Sequence, residues 1–106
     1  MVQAVSIWLL AAAFLGAGLF NAIGTSTTQS DFARWGYPAW WNVLTGGLEI
    51  VTAVLIALPL TRYVGLTLGA AIIAAGIVTV LRHRDFGHLV PLGVFVALIA
   101  LAATSA

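Results

Sequence analysis

Long apolar runs separated by short polar breaks make up the chain, and nowhere do apolar and polar residues alternate one by one. The runs extend from about Ala4 to Gly24, Ala39 to Leu58, Tyr63 to Leu81 and His88 to Thr104. Each is close to the roughly 20 residues a helix needs to cross a bilayer. The breaks carry turn and helix-end chemistry: Thr25 to Tyr37, Pro59-Leu60-Thr61-Arg62, and Arg82-His83-Arg84-Asp85-Phe86-Gly87. The pattern predicts an all-α polytopic membrane protein. Its expected form is a four-transmembrane-helix bundle with a short interfacial loop or helix between the first and second helices. Pro38 is expected in the first turn of the second span, where a helix tolerates it. No internal repeat or linker divides the chain, so residues 1–106 read as one four-helix transmembrane domain. No basic residue precedes the first run, which is therefore expected to be a retained helix rather than a cleaved signal.

Composition supports this and removes several function classes. Of 106 residues, 62% are apolar and 7% charged, against about a quarter charged in a soluble domain. A net charge of +1, with no lysine, leaves no basic patch for nucleic acid. The absence of cysteine excludes a disulfide framework, a thiol relay, an iron–sulfur cluster and a Cys-based zinc site. No metal site is expected, because His83 and His88 lack a third ligand in the pattern. Arg34, Arg82 and Arg84 fall on one side of a four-span layout and Arg62 on the other, which predicts a cytoplasmic first and third loop with both termini outside. A bacterial cytoplasmic (inner) membrane is the expected location. Trp35, Tyr37, Trp40 and Trp41 suit the headgroup level, with one wet edge and one apolar body.

Glu49 is the candidate for chemistry. It lies about 15 Å into its span, near the bilayer centre, where a charged acid costs at least about 2.5 kcal/mol. Asn42, Thr45, Gly46, Glu49, Thr52 and Ala53 recur at helical spacing as one polar and small stripe. Val43, Leu44, Ile50 and Val54 form the opposite, lipid-facing side. With every arginine in a loop, Glu49 is expected to be protonated, donating to a carbonyl, a hydroxyl or a ligand; the alternative is plain helix–helix glue. Asn21 falls at about the depth of Asn42, so the two amides can meet each other or a ligand's polar head. Arg82-His83-Arg84 with His88 is either a solvated turn or a site for an anion, a lipid headgroup or an acidic partner. Ala12-x3-Gly16, Gly65-x3-Gly69 and Gly76 offer strips for close helix approach, within a subunit or across a homodimer.

Several pieces in order resemble the DoxX-like membrane proteins. They are Gly18-Leu19-Phe20-Asn21, Trp35-Gly36-Tyr37-Pro38, Gly47-Leu48-Glu49, Leu58-Pro59 and Gly76-Ile77-Val78-Thr79-Val80-Leu81-Arg82. The family's usual lysine is Asn21 here, its histidine near the end of the third helix is Val80, and the glutamate is kept. The resemblance implies a four-helix membrane bundle. For some members it also implies a small membrane subunit of an oxidoreductase that passes electrons to quinone. A membrane quinone in an apolar pocket around Glu49 is then the expected cofactor, with Asn21, Trp35, Trp40, Asn42, Thr45 and Thr52 as its contacts. The expected partners are the lipid bilayer, a soluble oxidoreductase and a second copy of the chain. The residues leave three alternatives open: a free-standing isomerase, epoxide-opening enzyme or cyclase using Glu49 as general acid, a small proton-coupled transporter, and a non-catalytic assembly protein.

Overall fold

The computed structural model describes residues 2–104; residues 1, 105 and 106 of the expected unit lie outside the described residues. Five α-helices account for most of it: α1 (Val2–Ile23), α2 (Ser26–Arg34), α3 (Trp41–Ala57), α4 (Arg62–Arg82) and α5 (Leu89–Thr104). Single 3₁₀ turns at Pro59–Thr61 and Phe86–His88 join the last three. No strand occurs among the described residues. α1 packs on α3, α3 on α4, α4 on α5 and α5 back on α1, the closed ring that short connections impose on successive antiparallel helices.

Three helical stretches are long and apolar enough to cross a membrane: Ala4–Ile23, Pro59–Arg82 and Phe86–Thr104. Trp41–Ala57 is apolar but shorter, so the expected four crossings become three plus one helix of 17 residues. Both of its ends have a local cause. Pro38 lies outside the helix, correcting its expected place in the first turn: the Trp41 N–H donates to the Pro38 carbonyl at 3.0 Å, closing a turn ahead of α3. At the other end Leu58 adopts extended backbone before Pro59, as the residue before a proline prefers. Arg62, expected in a loop, instead opens α4. Its Nε donates to the Ile56 carbonyl at 2.9 Å, so a cation answers the negative end of α3.

One end of the ring is filled and the other is hollow. Ile7, Leu10, Ala11, Phe14, Ala53, Ile56, Leu66, Ile73 and Ala102 form the packed end. There Phe14 meets Phe95 with ring centroids 4.8 Å apart. α5 has little of its surface buried; most of it faces outward, as do Trp8, Leu9, Val43, Val51 and Val54. α1 and α3 cross through Gly18 and Gly46, where a Cβ on Gly46 would stand 2.5 Å from the Gly18 carbonyl oxygen. Within the subunit α1 and α3 meet through this crossing and not through the Ala12–Gly16 strip, which is exposed. Gly69, by contrast, does serve close approach, its absent side chain leaving room for the Phe14 ring.

Candidate functional site

The hollow end encloses a cavity of about 480 Å³. Ala17, Phe20 and Asn21 of α1, Thr45, Leu48 and Glu49 of α3, Ile72, Gly76 and Thr79 of α4, and Leu92 and Phe95 of α5 form its walls. Small residues on α1 and α4 keep the space open. Most of the lining is apolar, so the few polar atoms in it are conspicuous.

The polar stripe on α3 faces inward as its spacing predicts. Asn42, Gly46, Glu49, Thr52 and Ala53 are buried, Thr45 is half-buried, and Val43 and Val54 are exposed. Asn21 Nδ2 donates to Glu49 Oε1 at 2.6 Å. Asn42 Nδ2 donates to the backbone carbonyl of Asn21 at 2.9 Å. The two side-chain amides therefore do not pair with each other: Asn42 braces the Asn21 main chain, and the Asn21 side chain goes to Glu49. Gly24 makes this possible at the end of α1: its φ is +69°, and a Cβ there would stand 2.5 Å from Asn42 Nδ2. Glu49 Oε2 has no hydrogen bond among the described residues, yet no fully enclosed side-chain oxygen or nitrogen among them lacks a partner. Oε2 is thus open to the cavity.

α2 lies at the mouth. Thr25 caps it, accepting from the Thr28 N–H at 3.2 Å. Its far end is tied to the α4–α5 turn, so the first and third breaks of the sequence share one end of the bundle. Arg34 bridges two carboxylates, at 2.6 Å to Asp31 and 2.7 Å to Asp85. Trp35 Nε1 donates to Asp85 at 3.1 Å. His88 Nε2 stands 3.6 Å from Asp31, and its ring meets Trp35 edge-on. Asp85 is aimed by the way α4 ends. Arg84 takes φ +54°, the Arg84 N–H donates to the Leu81 carbonyl and the Asp85 N–H to that of Val80, a left-handed helix end with both orphan carbonyls satisfied. Ligating atoms of Asp31, Asp85 and His88 lie within 4.8 Å of one another, as a metal site would require. The Arg34 guanidinium already supplies a cation to both carboxylates.

Desolvation acts to raise the Asp85 carboxyl, but the Trp35 N–H, Arg34 and His88 outweigh it and hold its pKa below the usual carboxylate value. The hydrogen bond to Asp31 is the largest of the causes that raise Arg34. A depressed acid stabilises the fold above its ordinary pKa, and that contribution is lost as pH falls through the lower folded value. Acidification below about pH 4 is therefore expected to release α2 from the turn. Asp85→Asn should leave α2 already loosened at neutral pH. Amide hydrogen exchange along α2, faster in both cases, checks this.

Of the contacts expected from sequence, Asn21, Trp35, Thr45 and Glu49 line the cavity. Asn42 is buried beside it as the support of Asn21. Thr52 is fully buried, its hydroxyl donating to the Leu48 carbonyl at 2.7 Å. Trp40 is exposed and tilted against Trp41. Asp31, Tyr37 and Thr79 also line the space, although the sequence pattern does not assign them to it: it places Tyr37 only at the headgroup level and His88 only in an arginine-rich turn. Tyr37 and Thr79 are joined hydroxyl to hydroxyl at 2.7 Å. Thr79 donates its one hydrogen to the Ala75 carbonyl at 2.9 Å, so Tyr37 is the donor between them.

An all-helical chain with lipid-length apolar helices, a polar stripe turned inward and an exposed apolar exterior is an integral membrane protein. It belongs to the DoxX-like family, which it matches over residues 5–103. Comparison with curated proteins and with solved structures gave no match.

Proposed function

We propose that the protein is a small membrane subunit that holds a quinone-type molecule in the cavity, beside a soluble oxidoreductase that supplies electrons. The carrying observation is Glu49: one carboxyl oxygen fixed by Asn21, the other open to an apolar space of about 480 Å³. A few convergent polar groups in an otherwise apolar pocket are what orient a ligand's polar head. In this reading a protonated Glu49 donates through Oε2 to a quinone carbonyl. Were the partner's two electrons to reduce the quinone, Glu49 would be the source of one of the two protons the quinol needs, the second coming from solvent. The chain sits in a bacterial cytoplasmic membrane with residues 1–106 as one unit. α3 is the fourth crossing, about 25 Å long and at the short end of the spanning range, with α2 along the interface.

Trp35 and Trp41 line the cavity, and quinones quench tryptophan emission on contact. Titrating the detergent-purified protein with a short-chain quinone is expected to give saturable quenching that Glu49→Leu abolishes. Quenching that is linear and equal in both proteins would refute the pocket. The exposed Oε2 also suits a second reading, a membrane enzyme using Glu49 as general acid on an apolar substrate. Turnover without any partner protein would favour that reading over the first.

A further inference from the structure

A second hollow, of about 450 Å³, lies on the other side of the wall formed by Trp35, Tyr37, Ala75 and Thr79. Those four residues line both spaces, and the Tyr37–Thr79 hydrogen bond pins the wall shut. Ala74, Val78, Arg82 and His83 complete the outer groove. The two spaces are alike in size and differ in their ionisable lining. The inner one carries Glu49 and Asp31 with no arginine; the outer one carries Arg82 and no acid.

We propose that the outer groove is a binding site for an anionic phospholipid of the surrounding bilayer, its phosphate on Arg82 and an acyl chain along Ala74, Ala75 and Val78. Arg82 makes no hydrogen bond or ion pair among the described residues, whereas Arg34 and Arg62 are both engaged. It sits in the last turn of an apolar membrane-length helix, the depth at which a phosphate lies. Trp35 and Tyr37 flank the groove and suit the same level. The apolar floor is made of small and β-branched side chains, leaving the width a chain needs. His83 Nδ1 donates to the Thr79 carbonyl at 2.9 Å, which holds that ring against the helix end beside Arg82. A guanidinium with free N–H groups is the strongest phosphate partner a side chain offers.

The test is lipid retention. The protein is purified in mild detergent, supplied with equal amounts of phosphatidylglycerol and phosphatidylcholine, repurified, and its bound lipid measured by chromatography. Wild type is expected to retain phosphatidylglycerol several-fold over phosphatidylcholine. Arg82→Gln should abolish that preference, and Val78→Trp, which fills the groove while keeping the charge, should lower bound phosphatidylglycerol. Arg84→Gln, outside the groove, should behave as wild type. Equal retention of the two lipids by wild type would overturn the proposal. So would an unchanged preference in both Arg82→Gln and Val78→Trp, or a loss in Arg84→Gln as large as in Arg82→Gln. Inorganic phosphate that displaces the lipid at millimolar concentration would also overturn it, because the groove would then be recognising a free anion.

Discussion

Gly46→Ala is expected to force α1 from α3 and lower the thermal stability of the bundle, whereas Gly47→Ala is expected to leave it unchanged or slightly raised. A Cβ on Gly46 would stand 2.5 Å from the Gly18 carbonyl oxygen, 2.6 Å from the Ala22 nitrogen and 2.9 Å from the Ala22 Cα. These are backbone atoms, and they move only if the helix moves. Overpacking of a tight contact costs about 1–3 kcal/mol where side chains can yield, so the loss here should reach at least that range. Gly47 has nothing within 4 Å of its missing Cβ, and alanine gains roughly 0.5–1 kcal/mol over glycine inside a helix. Because the crossing also sets the distance between Asn21 and Glu49, Gly46→Ala should lose any cavity ligand as well. Melting curves of the two variants in one detergent check the ordering; coincident curves would contradict the crossing.

The second large effect separates structure from binding at Asn21 and Glu49. Asn21→Leu leaves Glu49 Oε1 without its donor, and Glu49→Leu leaves the Asn21 amide without its acceptor. Stranding one partner of a buried hydrogen bond costs about 1–3 kcal/mol, while replacing both by apolar groups is nearly neutral. Each single variant should therefore melt below wild type, and Asn21→Leu/Glu49→Leu should melt above either. All variants lacking Glu49 should fail to hold the ligand, including the stable double variant. Additive losses of stability in the double variant would show that the two residues are not paired.

Much of this was written in local patterns. The inward stripe of α3 follows from helical spacing alone, because Asn42, Gly46, Glu49 and Thr52 share a face whatever the helix packs against. The place of four of the five helices follows from the apolar runs, and the meeting of the first and third breaks follows from chain parity. What spacing cannot carry is a contact between helices. Asn21 reaches Glu49 across 28 residues, and their relative depth depends on where α1 and α3 cross. That crossing uses Gly18 and Gly46, on different helices, so no small-residue strip within one run announces it; the strip that did stand out, Ala12 to Gly16, faces outward. The short α3 was hidden because Ala39 and Trp40 continue the apolar run while a turn from Pro38 occupies them. Asp31 and His88 come together only when α2 folds back over the mouth, and Thr79 looks like any threonine in an apolar run until Tyr37 is found against it.

The most direct test of a ligand-holding cavity at Glu49 is native mass spectrometry of the protein released gently from its own membranes, comparing wild type, Glu49→Gln and Glu49→Leu. Glu49→Gln keeps an acceptor for Asn21 and serves as the folded reference. Wild type should carry an apolar adduct of quinone type that Glu49→Leu lacks. A wild-type protein without any adduct, or an adduct equally abundant in Glu49→Leu, would contradict the account and leave the Asn21–Glu49 pair as a fastening between two helices.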